Sequence, residues 1–162
     1  MAKKLTHLDD NGKASMVDVG GKPSTLREAV ASAFVVMSLE TLDLVAEAGL
    51  PKGDVLGTAR IAVILAAKKT ADLIPMTHPL PLTHVGVEFE IDRERRAIVI
   101  TANARCEGPT GVEIEAMTAC AIAAVTIYDM CKSVDKGIVI REVRLEKKSG
   151  GKSGTWVRSD AQ

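Results

Sequence analysis

Residues 112–134 predict a long helix that is apolar on nearly every side, and this feature constrains the fold most. Ala, Val, Ile, Met and Cys fill most of the segment, which follows the break Pro109-Thr110-Gly111. Such a helix needs cover all round, so it must lie in a domain core or in an interface between subunits. The remaining elements must therefore supply that cover.

Three segments predict strands. Residues 85–91 alternate between apolar and polar side chains, which indicates a half-buried strand. A charged turn at 92–96 leads into a second strand at 97–106, and the two form a hairpin. Residues 138–145 predict a last strand.

Two shorter segments predict helices, at 39–48 and at 55–73, with Asp54 as the N-cap of the second. Residues 26–37 fit both a helical stripe and a strand, and the pattern leaves that choice open. Helices and antiparallel strands are partly segregated along the chain, which predicts the α+β class. The 162 residues fit one domain, 1–162, with a loose N-terminal arm at 1–15 and a flexible Lys/Gly/Ser tail at 147–162.

Charge and composition argue against a nucleic-acid binder and a secreted protein. The formal net charge is zero and the four aromatic residues are scattered, whereas nucleic-acid binding needs a basic surplus and stacking platforms. The N-terminus lacks the apolar core of a secretory signal, and no apolar run is long enough to cross a bilayer. Three cysteines without paired spacing are typical of reduced thiols, so we expect a cytoplasmic location.

Polar side chains lie along one face of the helix 112–134. They are Glu115, Thr118, Ile122 (the apolar exception), Thr126, Asp129 and Ser133, with Lys132 beside Asp129. A lone Asp129–Lys132 pair at i,i+3 would be an ordinary surface ion pair. Because Glu115 and hydroxyl side chains share the stripe, a functional face is about as strongly favoured as a surface ion pair.

Two other segments are candidates for a site, each with an ordinary alternative. His78 lies between prolines in the loop 75–81, where it could act in catalysis or simply cap the preceding helix. Lys52 flanks a helix N-terminus that suits an anion, or it is a solvated loop lysine. The tail resembles the end of a P-loop, but Glu146 occupies the position of its opening glycine. No zinc spacing occurs, whereas a carboxylate-bound Mg²⁺ would leave no signature.

Several segments, in order along nearly the whole chain, resemble the MoaC family of cyclic pyranopterin monophosphate synthases. They are Leu5-Thr6-His7, Met16-Val17-Asp18-Val19, Lys52-Gly53-Asp54-Val55, Thr58-Ala59-Arg60-Ile61-Ala62, Asp72-Leu73-Ile74-Pro75, His78-Pro79-Leu80, Gly111-Val112-Glu113, Thr126-Ile127-Tyr128-Asp129-Met130-Cys131-Lys132 and Lys148-Ser149-Gly150-Gly151-Lys152-Ser153-Gly154.

The resemblance implies a ferredoxin-like subunit, with helices on one face of an antiparallel sheet. It implies a homohexamer, a trimer of dimers, with active sites at subunit interfaces. The implied enzyme is a lyase of molybdenum cofactor biosynthesis. It converts 3′,8-cyclo-7,8-dihydro-GTP, a nucleotide-derived small molecule, to cyclic pyranopterin monophosphate and releases pyrophosphate. We expect no required cofactor and no metal site, with Mg²⁺ on the triphosphate left open, and neither nucleic acid nor membrane as a partner.

The resemblance also implies the site residues. The catalytic set is Asp129, Lys132, Lys52 and His78, and the substrate-binding set is Met76, Thr77, His78, Glu113, Ile114, Glu115 and Lys148. Our hypothesis assigns proton transfers to Asp129 and Lys132, with a lysine of lowered pKa as base. It assigns a supporting role to His78 and the phosphates to Lys52 and Lys148.

The chain departs from the family pattern at two positions. Thr77 replaces a cysteine, which argues against an essential thiol there, and Ile114 replaces a methionine of similar volume. A non-catalytic nucleotide-sensing module and a simple phosphohydrolase are the alternatives. The phosphohydrolase would normally need a carboxylate cluster for metal binding, of which the stripe offers only two members.

Overall fold

A computed structural model describes residues 11–159, which fold as a five-stranded antiparallel sheet with helices, so the predicted α+β class is confirmed. The strand order in the sheet is β2-β3-β1-β4-β5. Along the chain the elements are β1 (Thr25–Val36), α1 (Leu39–Ala46), α2 (Val55–Lys68), α3 (Thr70–Leu73), β2 (Leu82–Asp92), β3 (Ala97–Gly108), α4 (Glu113–Cys131), β4 (Val139–Ser149) and β5 (Trp156–Val157).

The ambiguous segment 26–37 is the central strand of the sheet, β1. Its alternate residues Ala29, Ala31, Ala33 and Val35 are fully buried, which is the period-two pattern of a strand. The pattern was hard to see because the opposite face also carries apolar residues such as Phe34. Apolar residues on both faces imitate a helical stripe.

The long apolar helix α4 packs on the sheet and against α2, as its composition predicted. Several of its alanines, such as Ala116, Ala119 and Ala123, are fully buried, and their small side chains allow close packing. By length and composition α4 could also cross a membrane, but more than half of its most apolar stretch is buried inside the fold. It is therefore a core helix in this structure.

The second predicted helix ends earlier than expected. Asp54 is its N-cap, as predicted, and accepts a hydrogen bond from the Gly57 backbone N–H. However, α2 ends at Lys68 and residues 70–73 form the separate short helix α3. The Lys69 N–H donates to two carbonyls at once, and this tightening of the last turn interrupts the helix.

The C-terminal segment is more ordered than the prediction of a flexible tail from residue 147. Strand β4 continues to Ser149, and β5 returns to pair with it at Lys147 and Lys148. The Arg158 N–H donates to the Glu146 carbonyl at 2.8 Å, so paired backbone holds both sides of the loop 150–155. Most of the predicted N-terminal arm, 1–10, lies outside the described residues.

Candidate active site

The Asp129 carboxylate, at the end of α4, lies between two lysine ammonium groups. Lys52 Nζ is 2.9 Å from Oδ2 of Asp129 and also donates to the Asp129 carbonyl at 2.8 Å. Lys132 Nζ is 2.7 Å from the other carboxylate oxygen, Oδ1. These three residues, called the Asp129 cluster below, carry a net positive charge on a solvent-exposed surface.

Local backbone structure brings Lys52 to the cluster from a distant part of the sequence. The turn before α2 depends on Gly53, whose φ of +84° favours glycine. Asp54 then begins α2, which packs beside α4. The anion that Lys52 contacts in this structure is the Asp129 carboxylate, whereas Asp54 itself caps the N-terminus of α2.

The two lysines hold the pKa of Asp129 down to about 2, chiefly through the hydrogen bond from Lys132 and then that from Lys52. The same hydrogen bond raises the pKa of Lys132. The expectation of a lowered lysine pKa is therefore wrong for Lys132 in this chain, because its nearest charged neighbour is an anion. In this arrangement Lys132 is a protonated group that can donate a proton.

A second group of predicted residues lines a cavity of about 400 Å³ at the other end of α4. We call it the His78 cavity. Six of the residues predicted to bind substrate line it: Met76, Thr77, His78, Glu113, Ile114 and Glu115. The loop after α3 and the first turn of α4 therefore converge on one space, although about 35 residues separate them in the sequence.

The loop that carries His78 is held by Thr77 rather than by the histidine. Both the backbone N–H and the hydroxyl of Thr77 donate to the carbonyl of Ile74, at 3.2 and 2.8 Å. This leaves the His78 side chain half-buried on the cavity wall instead of capping the helix. Thr77 therefore stabilises the loop that presents His78.

Glu115 is the buried carboxyl group of the His78 cavity, with 4% of its surface exposed. Burial raises its pKa, and the nearby charge of Glu113 raises it further. Its own backbone N–H partly offsets this effect. A carboxyl group whose neutral form is favoured can serve as a proton donor in a cavity of this kind.

A larger cavity of about 580 Å³ adjoins the His78 cavity and is called the C-terminal cavity. Four basic side chains line it, those of Lys22, Arg27, Lys148 and Lys152, together with the acidic Glu113. Glu113 and Lys22 line both cavities, so the two spaces form one groove. Its basic side chains and glycine-rich loop suit a phosphate group.

Two glycines allow the C-terminal loop to approach Arg27 closely. Gly150 and Gly151 have φ of +101° and +68°, and a Cβ on Gly151 would lie 1.8 Å from Nη1 of Arg27. Arg27 itself donates to the carbonyls of Gly108 and Pro109 at 3.1 and 3.2 Å. Its guanidinium is therefore fixed in the wall beneath the loop.

The structure does not bring all the predicted catalytic residues together within one chain. Asp129, Lys132 and Lys52 meet, whereas His78 lies with the substrate-binding set at the opposite end of α4. Because an α-helix rises about 1.5 Å per residue, Glu115 and Asp129 are about 21 Å apart along the axis. The polar stripe is thus two separate sites, one buried and one exposed.

Sequence reasoning missed two basic residues of the groove, Lys22 and Arg27. Arg27 is the one charged residue on the buried face of β1. A charged side chain on an otherwise apolar face costs free energy unless it is paired, so the sequence could have identified Arg27 as a candidate site residue. Within residues 11–159 no three His, Cys, Asp or Glu side chains are grouped as metal ligands, and His7 lies outside that range. The three cysteines are free and buried, and burial raises the pKa of Cys120 to about 12.

Comparison with known proteins finds a family and close relatives. The MoaC family matches residues 16–151, which include both ends of α4 and most of the residues that line the groove. The chain is 57% identical over 155 residues to the cyclic pyranopterin monophosphate synthase of Chloroflexus aurantiacus, covering 96% of this chain and 95% of the relative.

Two further relatives carry the same name. The protein of Bordetella avium is 57% identical over 152 residues, 94% of each chain, and that of Pelotomaculum thermopropionicum is 56% identical over 95% of this chain and 91% of the relative. The chain belongs to the MoaC family.

Proposed function

We propose that this chain is a cyclic pyranopterin monophosphate synthase of molybdenum cofactor biosynthesis, a cytoplasmic enzyme. Family membership and near-complete coverage by relatives of that name support the proposal. The proposed substrate is 3′,8-cyclo-7,8-dihydro-GTP, and the products are cyclic pyranopterin monophosphate and pyrophosphate. The groove offers cations for the phosphates and a half-buried cavity beside them.

The observation that carries the mechanism is the separation of the two clusters at the ends of α4. We take the active site to be formed by two chains, with the Asp129 cluster of one facing the His78 cavity of another. A homohexamer, as a trimer of dimers of ferredoxin-like subunits, would provide such interfaces. The exposed apolar side chains of Ile61 and Leu65 on α2 and Val125 on α4 support an interface near the helices.

Each group then has a role consistent with its surroundings. Lys148 and Lys52 bind phosphate oxygens and stabilise the negative charge that develops as pyrophosphate leaves. Lys132, kept protonated by Asp129, donates a proton, and Asp129 orients both lysines. Glu115, whose pKa burial raises, is a second proton donor, beside His78.

The test is to incubate the purified protein with the cyclised GTP and to measure pyrophosphate, and pterin fluorescence after oxidation. Both products are expected in equal amounts. Pyrophosphate without pterin would instead indicate a phosphohydrolase. Neither product from folded protein would favour a nucleotide-sensing module and contradict the proposal.

A further inference from the structure

A third cavity, of about 440 Å³, lies at the far end of β1 from the groove, around Phe34 and Val36. Three arginines line it, Arg95, Arg141 and Arg144, together with one carboxylate, Glu142. We call it the Phe34 pocket. It shares no lining residue with the groove, and about seven residues of extended strand separate Phe34 from Arg27, roughly 23 Å.

A β-bulge in β4 places Arg141 and Arg144 on the same face of the sheet. Arg141 pairs with Phe34 and Arg144 pairs with Ser32, so β4 uses one more residue than β1 over this stretch. In a regular strand, residues three apart point to opposite faces. The bulge, with Glu142 at a φ of +54°, turns both arginines towards the Phe34 side.

The ring of Phe34 fixes two of the guanidinium groups. The Cζ atoms of Arg95 and Arg144 lie 5.7 and 5.8 Å from its centroid, within the range of cation–π contact. Arg144 also pairs with Glu142 at 2.8 Å and with Glu146 at 2.7 Å, and Arg95 lies 3.6 Å from Asp92. Two of the three guanidinium groups are therefore held in position before any ligand binds.

Arg141 differs from the other two arginines. Its side chain is exposed and has no hydrogen-bond or ion-pair partner among residues 11–159. A guanidinium presents several N–H donors in a planar fork that matches carboxylate and phosphate oxygens. We propose that the Phe34 pocket binds a small multivalent oxyanion, held by Arg141 together with Arg95 and Arg144.

Glu142 is the internal competitor in this pocket, since it lines the cavity and pairs with Arg144. An incoming anion must displace or outweigh that carboxylate. Changes at Arg141 and at Glu142 should therefore have opposite effects on affinity. This opposition distinguishes a built site from general attraction to a basic surface, which either change would alter only slightly.

The experiment is calorimetric titration of the assembled protein with pyrophosphate and, separately, with citrate. The two anions distinguish a phosphate ligand from a carboxylate ligand. Arg141→Gln should weaken binding to this pocket about tenfold, as expected for a lost charged hydrogen bond. Glu142→Gln should strengthen it several-fold, whereas Lys136→Gln, an exposed lysine outside the pocket, should change nothing.

Because pyrophosphate should also bind the groove, Lys148→Gln serves to remove that contribution. A binding event that survives Lys148→Gln and is weakened about tenfold by Arg141→Gln supports the Phe34 pocket. The proposal is overturned if both anions bind the Lys148→Gln and Lys148→Gln/Arg141→Gln proteins equally, or bind neither. Equal melting temperatures of the variants establish that folding is unchanged.

Discussion

Lys148 donates to Oε1 of Glu113 over 2.8 Å where the C-terminal cavity meets the His78 cavity. Both side chains are partly buried, and this ion pair joins the strand β4 to the first turn of α4. The carboxylate competes with any phosphate for the same ammonium group. The pair therefore sets how strongly the groove holds the proposed pyrophosphate product.

Replacing Glu113 by Gln should increase the affinity for pyrophosphate several-fold, because Lys148 loses its competitor and the groove loses a negative charge. Product inhibition of turnover by added pyrophosphate measures this. Glu94→Gln, an exposed change in the turn after β2, is the matched control. Unchanged or weaker inhibition in the Glu113 variant would contradict the role given to the pair.

Replacing Asp129 by Asn should lower turnover at least about 100-fold, the range expected for a group that positions proton transfer. Stability should change little, because the Asp129 side chain is 53% exposed. The matched control is Asp72→Asn, since Asp72 also pairs with a lysine three residues away on an exposed surface. Both variants are assayed for turnover and thermal unfolding. Equal turnover of the two variants would show that Asp129 takes no part in the reaction.

Mixing two inactive variants tests whether the site is formed by two chains. Asp129→Asn and His78→Ala, unfolded and refolded together, should recover roughly a quarter of wild-type turnover, because random assembly reunites intact halves in some interfaces. Asp129→Asn mixed with Lys132→Ala should recover none, since both changes lie in the same cluster. Absence of recovery in the first mixture would place the whole site within one chain.

Replacing Glu115 by Gln should lower turnover and yet stabilise the fold at neutral pH. Burial raises the folded pKa of Glu115 above its unfolded value, so ionisation costs stability as pH rises above about 4.5. The gain in melting temperature should therefore be absent below pH 4 and grow above it. Glu90→Gln, an exposed change on β2, should show no such pH dependence. A gain in melting temperature that is constant with pH would contradict a raised pKa of Glu115 in the folded protein.

Replacing Gly151 by Ala should weaken pyrophosphate binding, because a Cβ there collides with the Arg27 guanidinium. Gly154→Ala is an unusually close control: its φ of +63° imposes the same conformational strain, but nothing lies within 4 Å of its Cβ. Both variants should lose about 1 kcal/mol of stability, and only the first should lose affinity. Equal affinities of the two variants would show that pyrophosphate binding does not depend on the close approach of the loop to Arg27.

The sequence predicted most elements, since their signals are local. The cap at Asp54 and the hairpin of β2 and β3 depend on neighbouring residues and were confirmed. The sequence left 26–37 open between helix and strand because a central strand is apolar on both faces. The predicted end of β4 was too early because its last residues pair with β5, and the two residues of β5 give no periodic signal.

The sequence named the candidate residues of the site but did not predict how the structure groups them into two clusters. A helical wheel places Glu115 and Asp129 on one face but does not display the distance between them along the axis. The ion pair of Lys52 with Asp129 depends on how α2 packs against α4, and no local sequence pattern predicts that packing. Arg27 was missed because its neighbours read as a core segment.

The strand order has a consequence for how the chain is made. Among residues 11–159, β1 precedes the other strands along the chain and lies at the centre of the sheet, yet one of its neighbours, β4, follows β2, β3 and α4. Until residues 139–149 emerge, one edge of β1 stays unpaired beside the apolar helix α4. The sheet therefore cannot be completed before residues 139–149 have emerged, and chaperones that shield exposed strand edges should bind the nascent chain during that interval.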